Sequence, residues 1–552
     1  MVFAVLFIII FVLHLPLLRL PYFWDEAGYY VPAARDLLLT GSVIPHTTVS
    51  NAHPPLVMAW LALCWKLLGF TPLITRSAML ALAAFSLLGI FRLAERVSNT
   101  GIAVAATVCT AVYPVFFAQS SLAQVDLPAA GLIFWGLSAY VEGEILGTAL
   151  WFSLAAIAKE TAILAPLSLA AWHVVGLIVS NDKLRQLWTT NHTLTDSRFT
   201  GDPKQIPRPI ARIASLLVPI FPLAIWYAYH YSRTGYVFGN PEFFRYNVAA
   251  TLNPARFLLA LLLRTWQTVG YLHLWVLTGA TLIAMWTLPP LLGSAADKNE
   301  DDRRDEEKEG VRPRIGIPVQ MSFYVVVVTY VVSMSVIGGA VLARYMLPAV
   351  PLVIILCVST LWRRVSFWRL ATACVVLAFV AGWFWNPPYG FSPEDNLAYR
   401  DYIALHENAE QFLEARYPAA GVLTAWPASD ELARPWLGYV TRPTRVVRIE
   451  DFSLEEVISA AEFRANSDHS NFEVALVFST KYEPRPTRWD RWRSWTELKT
   501  RFFGFHRDLP PAAAAQILGG HIVFSEKRQG QWVAVIEMEQ EEIQNAEGSV
   551  PR

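Results

Sequence analysis

Apolar and polar positions alternate along this chain in long blocks, not with the short periods of a soluble fold. Runs of about 18 or more apolar residues are long enough to cross a bilayer as helices. They fall near 1–20, 73–91, 101–119, 127–142, 145–158, 161–180, 210–230, 267–292, 319–340, 345–362 and 367–386. The pattern predicts about eleven spans, of which 145–158 is short for a crossing and is expected to lie tilted or partly at the interface. Between the first two long runs, residues 29–40 are amphipathic, with Arg35 and Asp36 on the polar side, and 56–69 are apolar but interrupted by Lys66. Both read as interfacial helices, so the first loop is expected to form a roof. The segment 1–20 has neither a basic leader nor a small-residue cleavage site, and reads as an uncleaved first span.

Beyond residue 386 the pattern changes. Apolar runs at 421–426, 444–449, 472–478 and 521–524 alternate with helix-like stretches such as 453–464, which predicts a small α/β domain. Roughly 165 residues suffice for an independent core. Two domains are therefore expected: a membrane domain, 1–386, and an α/β domain, 387–552.

Composition agrees with burial in lipid. Of 552 residues 54% are hydrophobic and 16% charged, against roughly 25% charged in soluble chains. The formal net charge is zero, so nothing points to nucleic acid as a partner. Cys64, Cys109, Cys357 and Cys374 all lie in apolar segments, and 387–552 has no cysteine from which to build a disulfide framework or zinc knuckle.

Basic residues orient the spans. Arg92 and Arg96, the 181–212 loop, the 294–318 loop and Arg363, Arg364 and Arg369 fall on one side of the count. The 294–318 loop mixes both signs and reads as a solvated tether. The N-terminus is then cytoplasmic, and Asp25, Glu26, His53, Asp126, Lys159, Glu160 and Arg344 share the opposite face with the α/β domain. Intramembrane or membrane-edge charge is costly unless it is met by water or counter-charge, and reads first as a site.

The motifs around these residues resemble those of GT-C superfamily glycosyltransferases, in the branch of protein O-mannosyltransferases, lipid A aminoarabinose transferases and Rgt-type lipopolysaccharide-core transferases. Trp24-Asp25-Glu26-Ala27-Gly28-Tyr29-Tyr30 is similar to the acidic motif after the first span, and Asn51-Ala52-His53-Pro54-Pro55-Leu56 to the first-loop Pro-Pro-Leu element. Gln124-Val125-Asp126 resembles the second acidic site, Ala158-Lys159-Glu160-Thr161 the mid-chain basic position, and Ala343-Arg344-Tyr345-Met346-Leu347-Pro348 the element near the donor phosphate. One departure is that Ala52-His53 stands where the aminoarabinose branch has a Glu-Lys pair. The resemblance covers roughly 1–386, and the five motifs occur in register with the span count. It implies a polyprenyl-phosphate sugar as donor, transfer outside the cytoplasm of a plasma or inner membrane, and a glycan, lipid or protein as acceptor.

The chemistry then expected is direct displacement with inversion. A phosphate leaving group needs no general acid, unlike the alkoxide of glycoside hydrolysis, so one base is enough. Asp25 is the candidate base, with Glu26 and Asp126 as further acidic members; Asp126-Leu127-Pro128 also has the character of a helix N-cap. Lys159, Arg344 and His53 are the candidate phosphate ligands, though snorkelling accounts for a lone Lys or Arg at a helix end. Tyr29, Asn240, Arg245 and Tyr345 are candidate substrate contacts, with an aromatic interfacial belt as the alternative for the 231–254 loop. The sequence requires no cofactor and leaves open a divalent cation on Asp25 and Asp126. The rival class is a transporter or flippase of lipid-linked sugars. Its sites lie near the midplane and its halves repeat, whereas here the polar residues crowd one face.

Overall fold

The structure is a computed structural model and describes residues 1–178, 209–239, 253–292, 311–337, 340–465, 472–482, 491–503 and 508–539. The chain divides into two compact units, Met1–Pro387 with Ser392–Tyr399, and Pro388–Phe391 with Arg400–Arg552.

The first unit is helical. Among the described residues, five stretches are long and apolar enough to cross a membrane: Pro72–Val97, Glu160–Ile178, Pro209–Thr234, Pro254–Thr287 and Ile317–Ile337. Val2–Leu13, Thr100–Val112, Ile145–Ala158 and Trp368–Phe384 are shorter apolar helices, and Asp126–Glu142 and Val350–Arg364 complete the bundle. Burial is inverted relative to a soluble protein. Phe221, Ile225 and Leu377 are exposed while Arg76, Arg264 and His230 are fully buried, the distribution a lipid solvent imposes. This is an integral membrane protein.

The helices run between two ends that can be told apart by their contacts. At one end Arg96 pairs with Glu142 at 3.0 Å, Arg212 reaches the Tyr140 carbonyl at 3.1 Å, and Arg312 reaches the Trp362 carbonyl at 2.6 Å. Residues 21–26, 119–126, 158–161, 271–273, 340–348, 382–387 and 392–397 gather at the other. The helices Val31–Thr40 and Leu56–Leu68 of the first loop pack on each other. Asp36, expected on their polar side, is buried and accepts hydrogen bonds from the backbones of His46 and Thr47 at 2.6 and 2.7 Å.

Several expected spans differ in detail. The first helix stops at Leu13, because Pro16 cannot donate to the helical ladder. The 101–119 run breaks at Pro114 into Thr100–Val112 and Pro114–Gln119 for the same reason. The run placed at 345–362 begins its helix at Val350, after a turn over Ala343–Met346. The run placed at 267–292 has its helix at Leu274–Thr287, and a helix the pattern does not mark, Pro254–Val269, precedes it. Consecutive left-handed residues separate them, Leu272 at φ 43° and His273 at φ 68°. On Pro254–Val269, Arg256, Arg264 and Gln267 face inward while Leu258, Leu262 and Trp266 face out. A window average over such a helix hides both faces.

The second unit is a mixed five-stranded sheet. Its strands are β1 (Val422–Ala425), β2 (Val446–Ile449), β3 (Val474–Phe478), β4 (Gly520–Arg528) and β5 (Gln531–Met538), in the order β2-β1-β3-β5-β4. β1 lies parallel to β2 and β3, while β5 is antiparallel to both its neighbours. β1 and β3 are buried at every position, as strands covered on both faces must be. The apolar runs mark four strands and pass over β5. Its hairpin turns on Gln529 and Gly530, both at positive φ, without the Asn-Gly or Asp-Gly pair that announces such a turn.

One buried ion pair sets the geometry of the site end. The Glu26 carboxylate meets Arg76 Nη1 at 2.5 Å and accepts from the backbone N–H groups of Phe23 at 2.9 Å and Ala123 at 2.5 Å. Arg76 also donates to the carbonyls of Ser121 and Pro21 at 3.0 and 2.9 Å. Three segments distant in sequence are thereby tied at one point. Removing one partner of such a pair strands the other charge, at about 3–5 kcal/mol. Arg76→Met should lower stability by that order in thermal unfolding of the detergent-solubilised protein. Arg76→Met with Glu26→Gln should recover part of the loss. A single variant as stable as wild type would show that the pair does not hold this end together.

Candidate functional site

The first site residue is presented by a strained backbone. Trp24 has φ 47°, a region that side-chain-bearing residues avoid and that recurs where strain is stored at functional sites. It is followed by a wide π-type turn over Glu26–Tyr30, a local widening also common at such sites. Asp25 sits between them. Its carboxylate caps no helix; it accepts from Arg344 Nη2 at 2.5 Å and keeps 19% of its side chain exposed.

Arg344 is the hub of the cluster. Its side chain is 3% exposed, and besides Asp25 it donates through Nη1 to Glu394 and lies 3.2 Å from Asp126 through Nε. That last contact is an ion pair without hydrogen-bond alignment, so Asp126 Oδ2 keeps an unused acceptor. The other oxygen of Asp126 accepts from Lys159 Nζ. Asp126 is the first residue of its helix and caps nothing, and Lys159 and Arg344 are buried, not extended to solvent. Tyr345 turns its ring toward all three nearby cations, with Lys159 Nζ 4.1 Å, Arg264 5.4 Å and Arg344 5.6 Å from its centre. Arg264 holds the turn before Arg344 through the carbonyls of Ala340 and Leu342, at 3.2 and 2.6 Å.

His53 approaches from the first loop. Ala52 before it has φ 58°, and its carbonyl is held by Trp226 Nε1 at 2.9 Å. His53 Nδ1 is 2.8 Å from Glu160, the neighbour of Lys159, and its ring lies 5.8 Å from that of Tyr30. A small cleft opens here, lined by Tyr29, Ser50, Asn51, His53, Met58 and Trp226 among others.

The structure thus brings Asp25, Asp126, Lys159, Arg344 and Tyr345 together, with His53 and Tyr29 on the adjoining cleft. Glu26 is not among them. It has no exposed surface and is spent on Arg76 and two backbone amides, one residue from Asp25. Asn240 and Arg245 lie outside the described residues.

Sequence reasoning passed over Glu394, although it makes one of the three carboxylate contacts to Arg344 and accepts from Gln124 at 2.9 Å. Its signal was present. Glu394-Asp395 follows the last apolar run as Asp25-Glu26 follows the first. Asp395 is bonded by Tyr271 at 2.6 Å; burial first, and then the charge of Glu394, push its carboxyl up to about 7.

Chemically, the cluster offers a part-exposed carboxylate, a second carboxylate with a free oxygen, and two cations suited to an anion. A metal on Asp25 and Asp126 would stand where the Arg344 guanidinium lies, so this arrangement does not fit one. Among the described residues, the one grouping of three His, Cys, Asp or Glu side chains able to share a cation is His406, Glu410 and Glu431, in the second unit.

No known family pattern matches the chain, and no curated protein matches it. Solved structures do. ArnT from Cupriavidus metallidurans bound to undecaprenyl phosphate aligns over 96% of this chain and 97% of that one, at 13% identity and TM-score 0.52. Its apo form aligns over 97% of each, at 12% identity and TM-score 0.53. An oligosaccharyltransferase from Archaeoglobus fulgidus in complex with Zn and sulfate covers 86% of this chain and 68% of that one at 11% identity; its TM-score of 0.44 is too low to argue from. With nearly the whole of both chains aligned on ArnT, and a small sheet domain following a helical membrane unit in sequence, this protein shares the fold of ArnT.

Proposed function

We propose that this protein is a membrane glycosyltransferase that moves a sugar from a polyprenyl-phosphate donor to a hydroxyl of a glycan, lipid or protein acceptor. The observation that carries the reading is the convergence of Asp25, Asp126 and Glu394, from three separate segments, on the single guanidinium of Arg344. That ArnT was solved with undecaprenyl phosphate over the same fold supports a lipid phosphate as the donor's leaving group.

In the proposed step the acceptor oxygen attacks the anomeric carbon as the bond from that carbon to the phosphate oxygen breaks. Asp25 takes the acceptor proton, and the departing polyprenyl phosphate carries the electron pair. A single displacement inverts the anomeric centre. Arg344 and Lys159 neutralise the phosphate charge that grows in the transition state. Arg344 is already held by carboxylates, so an incoming phosphate must compete for it. A guanidinium that turns its fork to the phosphate loosens its hold on Asp25, and a carboxylate oxygen is freed to take the acceptor proton when donor is bound. Asp126 Oδ2 is the acceptor atom left to receive a hydroxyl. The cleft at Tyr29 and His53 is where substrate enters, and its aromatic walls suit a sugar face or an isoprenoid.

Asp25→Asn keeps the size of the side chain and one acceptor oxygen but not its basicity. Turnover should fall by about 10²–10⁴-fold, the range for general-base assistance, while a fluorescent or radiolabelled polyprenyl-phosphate sugar still binds. Normal turnover of the purified variant with a defined donor and acceptor would remove Asp25 as the base. Translocation of the donor by wild-type protein, with no new glycoside, would establish the transporter reading in its place.

Arg344→Lys retains the charge and loses the two-pronged geometry. Together with Lys159→Ala it tests the phosphate contact. Each should reduce kcat/KM for the donor by about 1.5–3 kcal/mol, the worth of a hydrogen bond to a charged group. Unchanged donor kinetics in both would return these residues to packing roles.

The orientation rests on the basic residues at the end away from the cluster, Arg96, Arg212, Arg312 and Arg363 among them. The site end is then non-cytoplasmic. A reporter that works only outside the cytoplasm should be active when fused after Arg552. Activity of a cytoplasmic reporter at that position would reverse the orientation.

A further inference from the structure

The second unit carries a polar cluster that the proposed reaction does not use. His406 and Glu410 lie one turn apart on the helix Ala398–Arg416, so their side chains leave the same face. Glu431 comes from the short helix Ala428–Ala433, just after β1. All three are at most 1% exposed. His406 Nδ1 is 2.7 Å from Glu431 Oε2 and 3.6 Å from Glu410 Oε1, and one ligand atom from each lies within 4.8 Å of the others.

The cluster is short of hydrogen bonds. Both oxygens of Glu410, and Oε1 of Glu431, meet no donor among the described residues. Buried carboxylates without donors or counter-charge are among the most costly groups in a fold. The group facing both carboxylates that can carry positive charge is the His406 imidazole. The imidazole is kept in orientation by stacking on Tyr402 at 4.0 Å and by the edge contact with Phe478 at 4.6 Å.

From this geometry we infer that His406, Glu410 and Glu431 form a site for a divalent metal ion of the zinc class. Two carboxylates and a neutral imidazole bring such an ion to neutrality, and one nitrogen with two oxygens is a donor set that zinc accepts. Zinc–ligand bonds of about 2.0–2.2 Å in a tetrahedron place ligand atoms roughly 3.3 Å apart. The contacts at 2.7 and 3.6 Å bracket that value. Water completes the fourth position. Closing this site pins the helix Ala398–Arg416 to the segment after β1, so the ion acts as a clamp within the second unit. The competing arrangement is a proton shared by Glu410 and Glu431, with His406 donating to Glu431.

The test uses the full-length protein in detergent, purified without a polyhistidine tag, loaded with zinc, desalted and measured by elemental analysis. Wild type should retain one equivalent more zinc than Glu410→Gln or Glu431→Gln, while Glu497→Gln, on an exposed helix, should match wild type. The melting temperature of wild type should fall by at least about 4 °C in a strong chelator and recover with zinc, as binding to the folded state alone requires, and the two site variants should not respond. If the variants do not fold, the chelator and zinc-recovery measurement on wild type decides alone. Equal zinc content in wild type and Glu410→Gln, or a melting temperature indifferent to chelator and zinc, overturns the inference in favour of the shared proton. Zinc content is read without turnover, and Asp25→Asn should keep the full equivalent, so this result is independent of the transferase reading.

Discussion

A carboxylate and a guanidinium, both nearly without solvent contact, hold the site end of this protein in shape. Glu26 and Arg76 have side-chain exposures of 0% and 1%, and such a pair is tolerated where most of its remaining hydrogen-bonding capacity is met. Here the surrounding backbone supplies donors and carbonyls to all but Arg76 Nε. The turn that carries Asp25, the stretch that leads into Asp126 and the first turn of the helix Pro72–Val97 therefore converge on one buried charge pair. Glu26 sits beside a proposed catalytic residue because it fixes where that residue is. Its adjacency to Asp25 in sequence reflects a division of labour between a presented carboxylate and a buried one.

A second charge system lies on top of the first. Arg344 reaches three carboxylates, Lys159 takes one of them, and the Tyr345 ring spreads under the cations. Arg264 in turn fixes the carbonyls before Arg344. In a low-dielectric setting these groups neutralise one another in a network of opposite signs. An anion enters such a network only by exchange, taking a cation from a carboxylate that it sets free. This coupling is the physical basis of the proposed step, in which arrival of the donor phosphate releases Asp25 from Arg344. The strained residues Trp24 and Ala52 stand one position before Asp25 and His53, where backbone strain aims each side chain.

Much of the architecture was legible in the chain. Block hydropathy placed the helical segments, basic loops separated the two ends, and four of the five short motifs marked segments that meet around Arg344 and Asp126, the fifth carrying His53 of the adjoining cleft. The misplaced boundaries share a cause. Pro16, Pro114 and the left-handed pair Leu272-His273 break backbone geometry inside stretches whose average hydropathy stays high, and an average over residues is blind to a broken ladder. β5 was passed over because its hairpin turns on Gln529-Gly530, which lacks the usual dipeptide. Glu394 was passed over because its acidic pair stands at the far end of the membrane unit's sequence, where no motif drew attention to it.

Which end of the bundle each polar residue occupies was determined by the sequence itself. Each apolar crossing reverses the side, and counting reversals is a one-dimensional operation that the order of residues contains in full. Which carboxylate meets which cation was decided only by the tertiary structure. Asp25 with Arg344, Asp126 with Lys159, and Glu26 withdrawn to Arg76 depend on the lateral packing of helices whose outward faces are all apolar. Periodicity in a lipid-facing bundle does not encode neighbours, because lipid and helix are alike to an apolar side chain. The pairing of the buried charges supplies that information, and it exists only once the helices are side by side.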